Sequence, residues 1–469
     1  MLIISLIFLI SCKALPFIHN QLSINYYQRL SSILLLFTSF LTFNTLDITG
    51  SFSSGLGIYG GLFNVNLINQ IIEIVLLITS SFILLGWPIK SSGNHSINYS
   101  ILAIFCILGA SLLISSSDLL SLYLSIELQS FSLYILSTLY KESTSAGLKY
   151  FLIGCLASSL ILLGSGLIYS ATGLTNFESI YNLISVSTTD GFNLGIIIVF
   201  IGFLIKIAAA PLHNWSPDVY DETPTIVTIW LTIIPKISIL ILLLEVYTHS
   251  SNLPLKYLLL TISLISLIIG SVVGLVQKRI KRLLAYSTIS HLGFIILSLA
   301  INTEQSIESF LFYIIQYSLT NLNIFLILLA LSYLNKKDIT LLSELKGQFI
   351  PNPLLSLSFS ICLFSLSGVP PLLGFFSKQL VLLSSLQSGY YFISLVGILV
   401  SVISASYYLK IIKIIYSDWN IEKNIPQISL SNFHSYIISS LTLFILLFIL
   451  KPSLILNNTL LLSLILFKF

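Results

Sequence analysis

The fold is decided by long apolar stretches such as residues 193–215, which read NLGIIIVFIGFLIKIAAAPLHNW. A helix needs about 20 apolar residues to cross the hydrocarbon core of a bilayer. The chain has 469 residues, of which 56% are hydrophobic and only 8% are charged, so it cannot cover itself with a water-soluble surface. Backbone groups in lipid must be hydrogen-bonded internally, which leaves helices or a closed barrel. Because the apolar runs do not alternate with polar residues, the sequence predicts an all-α polytopic membrane protein.

About fourteen membrane-spanning helices are predicted, and the first is expected to be retained because no basic segment precedes its apolar run, as it would in a signal peptide. The predicted spans are 1–18, 29–48, 66–88, 97–116, 118–140, 146–172, a seventh from 193 that is broken at Pro211, 225–247, 254–276, 283–301, 307–334, 353–388 with a break at Pro370–Pro371, 390–416 and 432–450. The apolar tail is expected to be interfacial or packed on the domain. The predicted regions are N-terminal helices in 1–96, two repeats in 97–250 and 251–418, and a last helix with its tail in 419–469.

Basic residues predict the orientation of the chain, because the inside loops of membrane proteins are enriched in Lys and Arg. Loops after the odd-numbered spans carry most of these residues, so that side is predicted to be inside and both termini outside. One inside loop is acidic, since Asp218, Asp221 and Glu222 form a cluster there. This cluster is either a docking surface or, as we expect, simply solvated.

Prolines interrupt two of the predicted spans. Pro211 breaks the seventh span five residues after Lys206, and Pro370–Pro371 breaks the twelfth, with Lys378 seven residues after it. Proline removes a backbone donor and ends or kinks a helix, and broken helices at matched places in two halves are typical of transport sites built from inverted repeats. Spans four to eight and nine to thirteen are therefore predicted to be two inverted copies of a five-helix repeat. Two unrelated proline kinks are the alternative.

Three ionisable residues lie deep within the first predicted repeat. Lys236 is eleven residues from each end of the run 225–247, about 16 Å from either interface, which is too far for its stem to reach water. Lys206 is next to the break, and Glu127 is near the middle of its span. Charges at this depth cost several kcal/mol and usually serve proton or ion movement. Because desolvation disfavours a charged amine, a buried lysine can act as a reversible proton carrier, and a carboxylate facing Lys206 would hold that lysine charged. Buried structural ion pairs are the alternative. Pro235, directly before Lys236, is expected to unwind the helix locally.

Two further residues extend this set into the second predicted repeat. Lys378 follows the second break and either joins the polar chain or reaches the membrane interface. His291, eight residues into the tenth span, titrates in the range that proton relay needs. A histidine that is merely hydrogen-bonded to a serine is the alternative.

Other classes of function lack their signatures. The four cysteines are far apart and form no CxxC pair, which disfavours iron–sulfur and zinc sites. We expect no phosphate-binding loop, no haem-ligand histidine pair and no strand to carry a dinucleotide motif, so no cofactor or metal is expected on this chain. Gly164-Ser-Gly166 is expected to mark close helix packing. The scattered net charge of +4 gives no reason to expect nucleic acid.

Several motifs together resemble the antiporter-like membrane subunits of respiratory complex I. They are Asp118-Leu-Leu-Ser-Leu-Tyr-Leu-Ser-Ile-Glu127, Gly147-Leu-Lys149-Tyr-Phe, Lys206-Ile-Ala-Ala-Ala-Pro211-Leu-His-Asn-Trp215, Lys278-Arg-Ile-Lys-Arg-Leu-Leu-Ala-Tyr-Ser-Thr-Ile-Ser-His291 and Ser367-Gly-Val-Pro-Pro-Leu-Leu-Gly-Phe-Phe-Ser-Lys378. The similarity extends from about residue 118 to residue 415 and implies a proton-translocating subunit of NADH:ubiquinone oxidoreductase.

The resemblance also implies a role for each site residue. Glu127 would pair and switch with Lys206, Lys236 would pass protons centrally, His291 would relay them, and Lys378 would connect to the far half. NADH, FMN, iron–sulfur clusters and ubiquinone would be bound by other subunits, which leaves no cofactor on this chain.

Partners and location follow from the same resemblance. The implied partners are other membrane-arm subunits, including a neighbouring antiporter-like subunit 4 and small membrane subunits, with lipids such as cardiolipin at the basic inside face. The implied location is the mitochondrial inner membrane, and a composition rich in Ile, Leu, Ser, Asn and Tyr suits an AT-rich organellar genome. Two other functions stay open: a subunit of a multi-subunit cation/proton antiporter, and a structural scaffold whose polar residues no longer conduct.

Overall fold

The computed structural model describes residues 1–14, 24–47, 55–86, 95–184, 190–250, 253–335, 337–417 and 430–467. The helices are α1 (Leu2–Ala14), α2 (Ile24–Asn44), α3 (Leu67–Leu85), α4 (His95–Ile114), α5 (Leu119–Thr138), α6 (Thr144–Thr172), α7 (Phe177–Ile184), α8 (Asp190–Ile207), α9 (Trp215–Glu222), α10 (Thr225–His249), α11 (Leu253–Val276), α12 (Ile280–Ile301), α13 (Glu304–Asn335), α14 (Pro353–Ser367), α15 (Leu373–Gln387), α16 (Tyr391–Tyr416), α17 (Asn432–Leu447) and α18 (Ser453–Phe467). Short 3₁₀ turns cover Lys141–Ser143, Leu342–Leu345 and Phe448–Leu450.

These helices confirm the predicted all-α membrane fold. In the described part of the chain, nine helices are long and apolar enough to cross a membrane, and five further apolar helices are shorter. Every predicted span contains a helix, and the two spans with proline breaks contain two helices each. The count of fourteen spans stays a prediction, because length and composition alone do not show which of the shorter helices cross.

A small β-hairpin corrects the expectation that the chain has no strand. Strand β1 (Leu56–Ile58) pairs antiparallel with β2 (Phe63–Val65). The turn between them needs left-handed backbone at three successive residues, Tyr59, Gly60 and Gly61, with φ of 54°, 69° and 89°. Two of the three are glycines, which adopt this conformation without steric cost. The Gly-Gly pair in a loop was the available signal for a hairpin.

The helices group into two compact units. The first compact unit comprises Met1–Ile207 and Trp230–Asn252, and the second comprises Ala208–Ile229 and Leu253–Phe469. Residues 208–229 thus group with the later helices, although the repeat predicted from the sequence follows chain order.

The entries to α5 and α12 make the same backbone contacts, one in each compact unit. In both places the first helical residue and the residue two before it form two backbone hydrogen bonds with the segment that follows the next helix. The bonded pairs are Leu119 with Thr175 and Phe177 with Ser117 at α5, and Ile280 with Thr340 and Leu342 with Lys278 at α12. The helix entries are offset by 161 residues (280 − 119).

A glycine contact between neighbouring helices also recurs. A Cβ placed on Gly109 of α4 would lie 2.5 Å from the backbone nitrogen of Gln129 in α5. A Cβ placed on Gly270 of α11 would lie 2.5 Å from the backbone nitrogen of Ser290 in α12. Both glycines therefore let two helix backbones touch, and both members of the pair are offset by 161 residues (270 − 109 and 290 − 129).

The two helix breaks share one backbone geometry. Helix α8 ends at Ile207 and is followed by Ala208 with φ of 63° and by a cis Ala210–Pro211 bond. Helix α14 ends at Ser367 and is followed by Gly368 with φ of 88° and by a cis Pro370–Pro371 bond. With the helix entries and the glycine contacts, the breaks give three matched features that support the predicted repeat.

Glycines also set the packing of α6 against α8 in the first compact unit. A Cβ on Gly164 would lie 2.7 Å from the Gly195 carbonyl, and a Cβ on Gly202 would lie 2.6 Å from Ile161. The expected close packing holds at Gly164 but is wrong for Gly166, around which there is open space.

The tail helix α18 packs on its own compact unit, as one of the two predictions for the tail requires. Ile455 and Leu456 cover a buried cluster of Phe312, Leu373 and Phe448. The apolar tail is therefore held by aromatic and aliphatic contacts with α13, α15 and the turn after α17.

Candidate proton-conducting site

Glu127 and Lys206 form a buried ion pair. The Lys206 Nζ lies 3.5 Å from Glu127 Oε1, and the two side chains are 8% and 15% exposed. Glu127 is on α5 and Lys206 is on α8, so the pair joins two helices of the first compact unit. The Ser130 hydroxyl, one turn along α5, lies 3.5 Å from Glu127 Oε2. The structure thus brings together the two residues that the sequence suggested as partners.

The helix break explains how a lysine is tolerated at this depth. Lys206 is in the last turn of α8, which ends at Ile207 because Ala208 takes a left-handed conformation. The last carbonyls of a helix carry a partial negative charge that favours a cation by about 0.3–2 kcal/mol. The carboxylate of Glu127 adds to this attraction, so Lys206 is stabilised as a cation by two separate groups.

Lys378 uses the end of the other broken helix in the same way. Its Nζ donates to the carbonyl of Ser367, the last residue of α14, at 2.9 Å. The residue is 7% exposed, which favours a place in the polar chain over an anchoring role at the protein surface. Lys206 and Lys378 therefore both lie close to the carboxyl end of the helix that precedes a break. Lys206 is in the last turn of that helix, whereas Lys378 is in the helix that follows the break and reaches back to it.

Lys236 is the least exposed of the lysines that the structure describes. It is 2% exposed and lies in the middle of α10. The expected unwinding at Pro235 is wrong, because α10 continues through the proline without interruption. Two residues further along, Ser238 exchanges hydrogen bonds with Gln129 at 3.0 and 3.2 Å. This contact fixes the Lys236 helix against the helix that carries Glu127.

His291 is held between two tyrosine hydroxyls in the second compact unit. Its Nδ1 lies 2.8 Å from Tyr313 Oη and its Nε2 lies 3.2 Å from Tyr408 Oη. A neutral imidazole has one donor and one acceptor nitrogen, and a hydroxyl can play either role. The Tyr313–His291–Tyr408 chain can therefore pass a proton from one side of the ring to the other, which a single serine contact would not allow.

A chain of contacts connects His291 with Lys378. Tyr313, bonded to His291, stacks on Phe294 with ring centroids 6.0 Å apart. The Lys378 Nζ lies 5.9 Å from the centroid of the same Phe294 ring. Aromatic faces attract cations at this range. Phe294 therefore links Lys378 to Tyr313, the tyrosine that is bonded to His291. The structure thus groups Glu127 with Lys206 in one compact unit and His291 with Lys378 in the other.

Two members of the acidic cluster in the loop that was predicted to be inside, Asp218 and Asp221, are paired, which corrects the expectation that the cluster is simply solvated. Asp221 Oδ2 lies 2.6 Å from Arg279 Nη1 and 3.2 Å from Arg282 Nε, and the Asp221 side chain is only 3% exposed. Asp218 receives Arg282 at 2.5 Å. The Asp221 carboxylate raises the pKa of the Arg279 guanidinium. These pairs bind the short helix α9 to the start of α12, and Lys281 adds a hydrogen bond to the Thr223 carbonyl at 2.7 Å.

Two carboxylates within the apolar helices were missed by the sequence reasoning. Glu73 lies six residues into α3, and Glu245 lies nine residues after Lys236 on α10. His249, one turn beyond Glu245, stacks on Tyr181 with ring centroids 4.8 Å apart. Both are charges within an apolar run, although Glu245 is two residues from the end of its predicted span and Glu73 is seven residues from the start of its own. Among the described residues, no three His, Cys, Asp or Glu side chains are grouped to hold a metal ion.

The fold and the site define a class of membrane protein. The family described as NADH:quinone oxidoreductase/Mrp antiporter, TM, matches residues 116–404. This range contains Glu127, Lys206, Lys236, His291 and Lys378, together with both helix breaks. The chain belongs to this family.

Comparison with individual proteins narrows the class. Chain 2 of NADH-ubiquinone oxidoreductase from Rhizopus oryzae is 46% identical over 94% of this chain and 95% of that protein. Subunit N of NADH-quinone oxidoreductase from Parvibaculum lavamentivorans is 35% identical over 77% of this chain and 76% of that protein. Respiratory complex I from Thermus thermophilus with bound aureothin contains a chain with a TM-score of 0.80 and 26% identity, covering 97% of this chain and 99% of that one.

The resemblance to the antiporter-like membrane subunits of complex I is therefore confirmed. Within that class, the chain belongs with the chain 2 and subunit N proteins.

Proposed function

We propose that this chain is the chain 2-type membrane subunit of a mitochondrial NADH:ubiquinone oxidoreductase and that it translocates protons across the inner membrane. The observation that carries the proposal is the Glu127–Lys206 pair, buried in the membrane domain at the end of a broken helix. Electron transfer from NADH to ubiquinone supplies the energy, and NADH, FMN, the iron–sulfur clusters and ubiquinone are bound by other subunits.

The pair can work as a switch because its two charges attract strongly across a short distance. While Glu127 faces Lys206, the lysine keeps its proton. When the carboxylate moves away, the buried ammonium loses its main counter-charge, and release of the proton to Lys236 becomes favourable. In the second half of the path His291 relays protons between its two tyrosines, and Lys378 connects the path to the next subunit.

The assembly follows the same proposal. The partners are other membrane-arm subunits, among them antiporter-like subunit 4 and small membrane subunits, with lipids such as cardiolipin at the basic inside face. Both termini lie on the intermembrane-space side, because the loops after odd-numbered spans are basic.

A native gel of mild-detergent extracts tests the assignment against the second candidate, a cation/proton antiporter subunit. The family description favours keeping that candidate, since it names both classes. Co-migration of the chain with NADH dehydrogenase activity in a large assembly supports the proposal. Migration in a small assembly without that activity, with sodium-dependent transport, would overturn it.

A further inference from the structure

Helix α13 carries a stripe of buried polar side chains that has no role in the function proposed above. The members recur every three or four residues, so they share one face of the helix. They are Ser309, Tyr313, Gln316, Thr320 and Asn323. None is more than 1% exposed. Fourteen residues separate the first from the last, which is about 21 Å of helix at about 1.5 Å per residue, a large part of the membrane thickness.

The amide side chains of this helix have unpaired acceptors. Gln316 Nε2 donates to Thr320 Oγ1 at 3.4 Å, and Asn323 Nδ2 donates to Cys362 Sγ at 3.1 Å. Their oxygens, Gln316 Oε1 and Asn323 Oδ1, accept no hydrogen bond from the described residues. Asn321, beside the stripe, repeats the pattern: its Nδ2 donates to a backbone carbonyl and its Oδ1 has no described donor.

Three such acceptors within one stretch of helix indicate that their hydrogen-bond donor is not a protein group. An unsatisfied buried acceptor costs about 1–3 kcal/mol. Polar side chains that serve only to hold membrane helices together bond to each other across the interface, which these three oxygens do not do. Water is the usual donor to buried polar groups of this kind, because buried waters make about three hydrogen bonds to groups that lack partners.

The stripe continues the hydrogen-bonded chain of His291. Tyr313 belongs to the stripe, and its hydroxyl is 2.8 Å from His291 Nδ1. Gln316 follows one turn later on the same face, and Asn323 follows two turns after that, beside Cys362 of α14. Gln316 is thus one turn of helix from Tyr313, whose hydroxyl contacts the relay histidine.

We propose that Gln316 and Asn323 hold internal water along α13 and that this water extends the proton path from His291 and Tyr313. The inference rests on the proposed proton-translocating function and names two residues that serve it. Because an amide does not ionise near neutral pH, both are positioning residues: they orient water molecules, and the water carries the proton.

A density map of the unmodified, assembled enzyme at a resolution that shows ordered water tests the binding part. We expect a water peak within hydrogen-bond distance of Gln316 Oε1 and another near Asn323 Oδ1. A map that shows water around Glu127 and Lys206 but none at these two oxygens would overturn the proposal and leave the proposed function intact.

Two apolar variants, the near-isosteric Asn323→Leu and the slightly shorter Gln316→Leu, test the functional part in the assembled enzyme. Each should lose its water peak and lower the protons moved per NADH oxidised several-fold. Ser318→Ala is the matched control, because Ser318 is equally buried but faces away from the stripe and bonds only its own helix at Ile315.

Unchanged proton transfer in both assembled leucine variants would refute the path. If Lys236→Ala also leaves proton transfer unchanged, the proposed function itself fails; if only the leucine variants are silent, the stripe alone is wrong. Should the leucine variants not assemble, the water map of the unmodified enzyme decides.

Discussion

Glu127→Gln removes one charge from the buried pair and keeps the shape of the side chain. The amide can still accept the Ser130 hydroxyl, so packing of α5 against α8 is preserved. The change isolates the electrostatic role of the carboxylate, which the account makes central to the first half of the path.

The size of the effect follows from the distance. Two unit charges 3.5 Å apart attract by about 5 kcal/mol at an effective dielectric constant of about 20. Since about 1.4 kcal/mol corresponds to a factor of ten, the loss changes the ratio of charged to neutral Lys206 by on the order of a thousandfold. The partial charge at the carboxyl end of α8 acts on Lys206 in the parent protein and in the variant alike, so it does not replace the lost carboxylate. Lys206 should therefore lose its proton and can no longer switch.

The assay is proton uptake per NADH oxidised by the assembled enzyme in sealed vesicles. We expect Glu127→Gln to lower this ratio, and Glu142→Gln, the same substitution at an exposed residue of the same compact unit, to leave it unchanged. Adding Lys206→Met to Glu127→Gln should cause little further loss, because residues that act as one unit are not additive.

An unchanged ratio in assembled Glu127→Gln would refute the reasoning from the pair. A double variant that loses the product of the two single effects would show that Glu127 and Lys206 act independently, in spite of their contact.

Three further predictions concern the packing of glycines, the histidine relay and the ion pairs of the acidic cluster. Gly270→Ala should destabilise the chain by about 1–3 kcal/mol because its Cβ meets the Ser290 backbone at 2.5 Å, whereas Gly166→Ala, facing open space, should be neutral or stabilising by up to about 1 kcal/mol; thermal unfolding of the assembled enzyme measures both. Tyr313→Phe removes the hydroxyl 2.8 Å from His291 and should slow proton transfer without loss of assembly, while Tyr26→Phe at an exposed tyrosine should not; equal rates in the two variants would contradict the relay. Asp221→Asn leaves Arg279 and Arg282 without their shared carboxylate and should cost about 0.5–2 kcal/mol, because the two arginines are 55% and 36% exposed and stay hydrated; proteolysis of the α9–α12 region reports it, and resistance equal to the parent protein would contradict the structural role.

Much of the fold was legible in the sequence because lipid leaves the backbone few choices. Long apolar runs without alternation could only be helices, and the positions of Pro211 and Pro370–Pro371 located both breaks. The β-hairpin escaped because its three-residue strands are too short for a periodic pattern, and only Gly60-Gly61 marked its turn.

Those site residues that are charged and lie within apolar runs could be predicted from the sequence. Lys206, Lys236 and Glu127 stood out because each lies among apolar neighbours. Glu73 and Glu245 also lie among apolar neighbours and were overlooked, because the criterion was not applied to every charge.

Tertiary pairing is what the sequence could not supply. Asp218 and Asp221 looked solvated because their partners, Arg279 and Arg282, are about 60 residues away along the chain. The polar stripe of α13 was hidden for a related reason: its residues are uncharged, and only the structure shows that their acceptors lack partners.

The protons moved per NADH oxidised by an assembled enzyme that carries Lys236→Ala test the central claim most directly. Lys236 is 2% exposed in the middle of an uninterrupted helix, and the account gives it the central proton transfer. We expect a lower ratio than in the parent enzyme, with assembly intact. An assembled Lys236→Ala enzyme with the parent ratio would contradict the claim that protons pass through this chain at that residue.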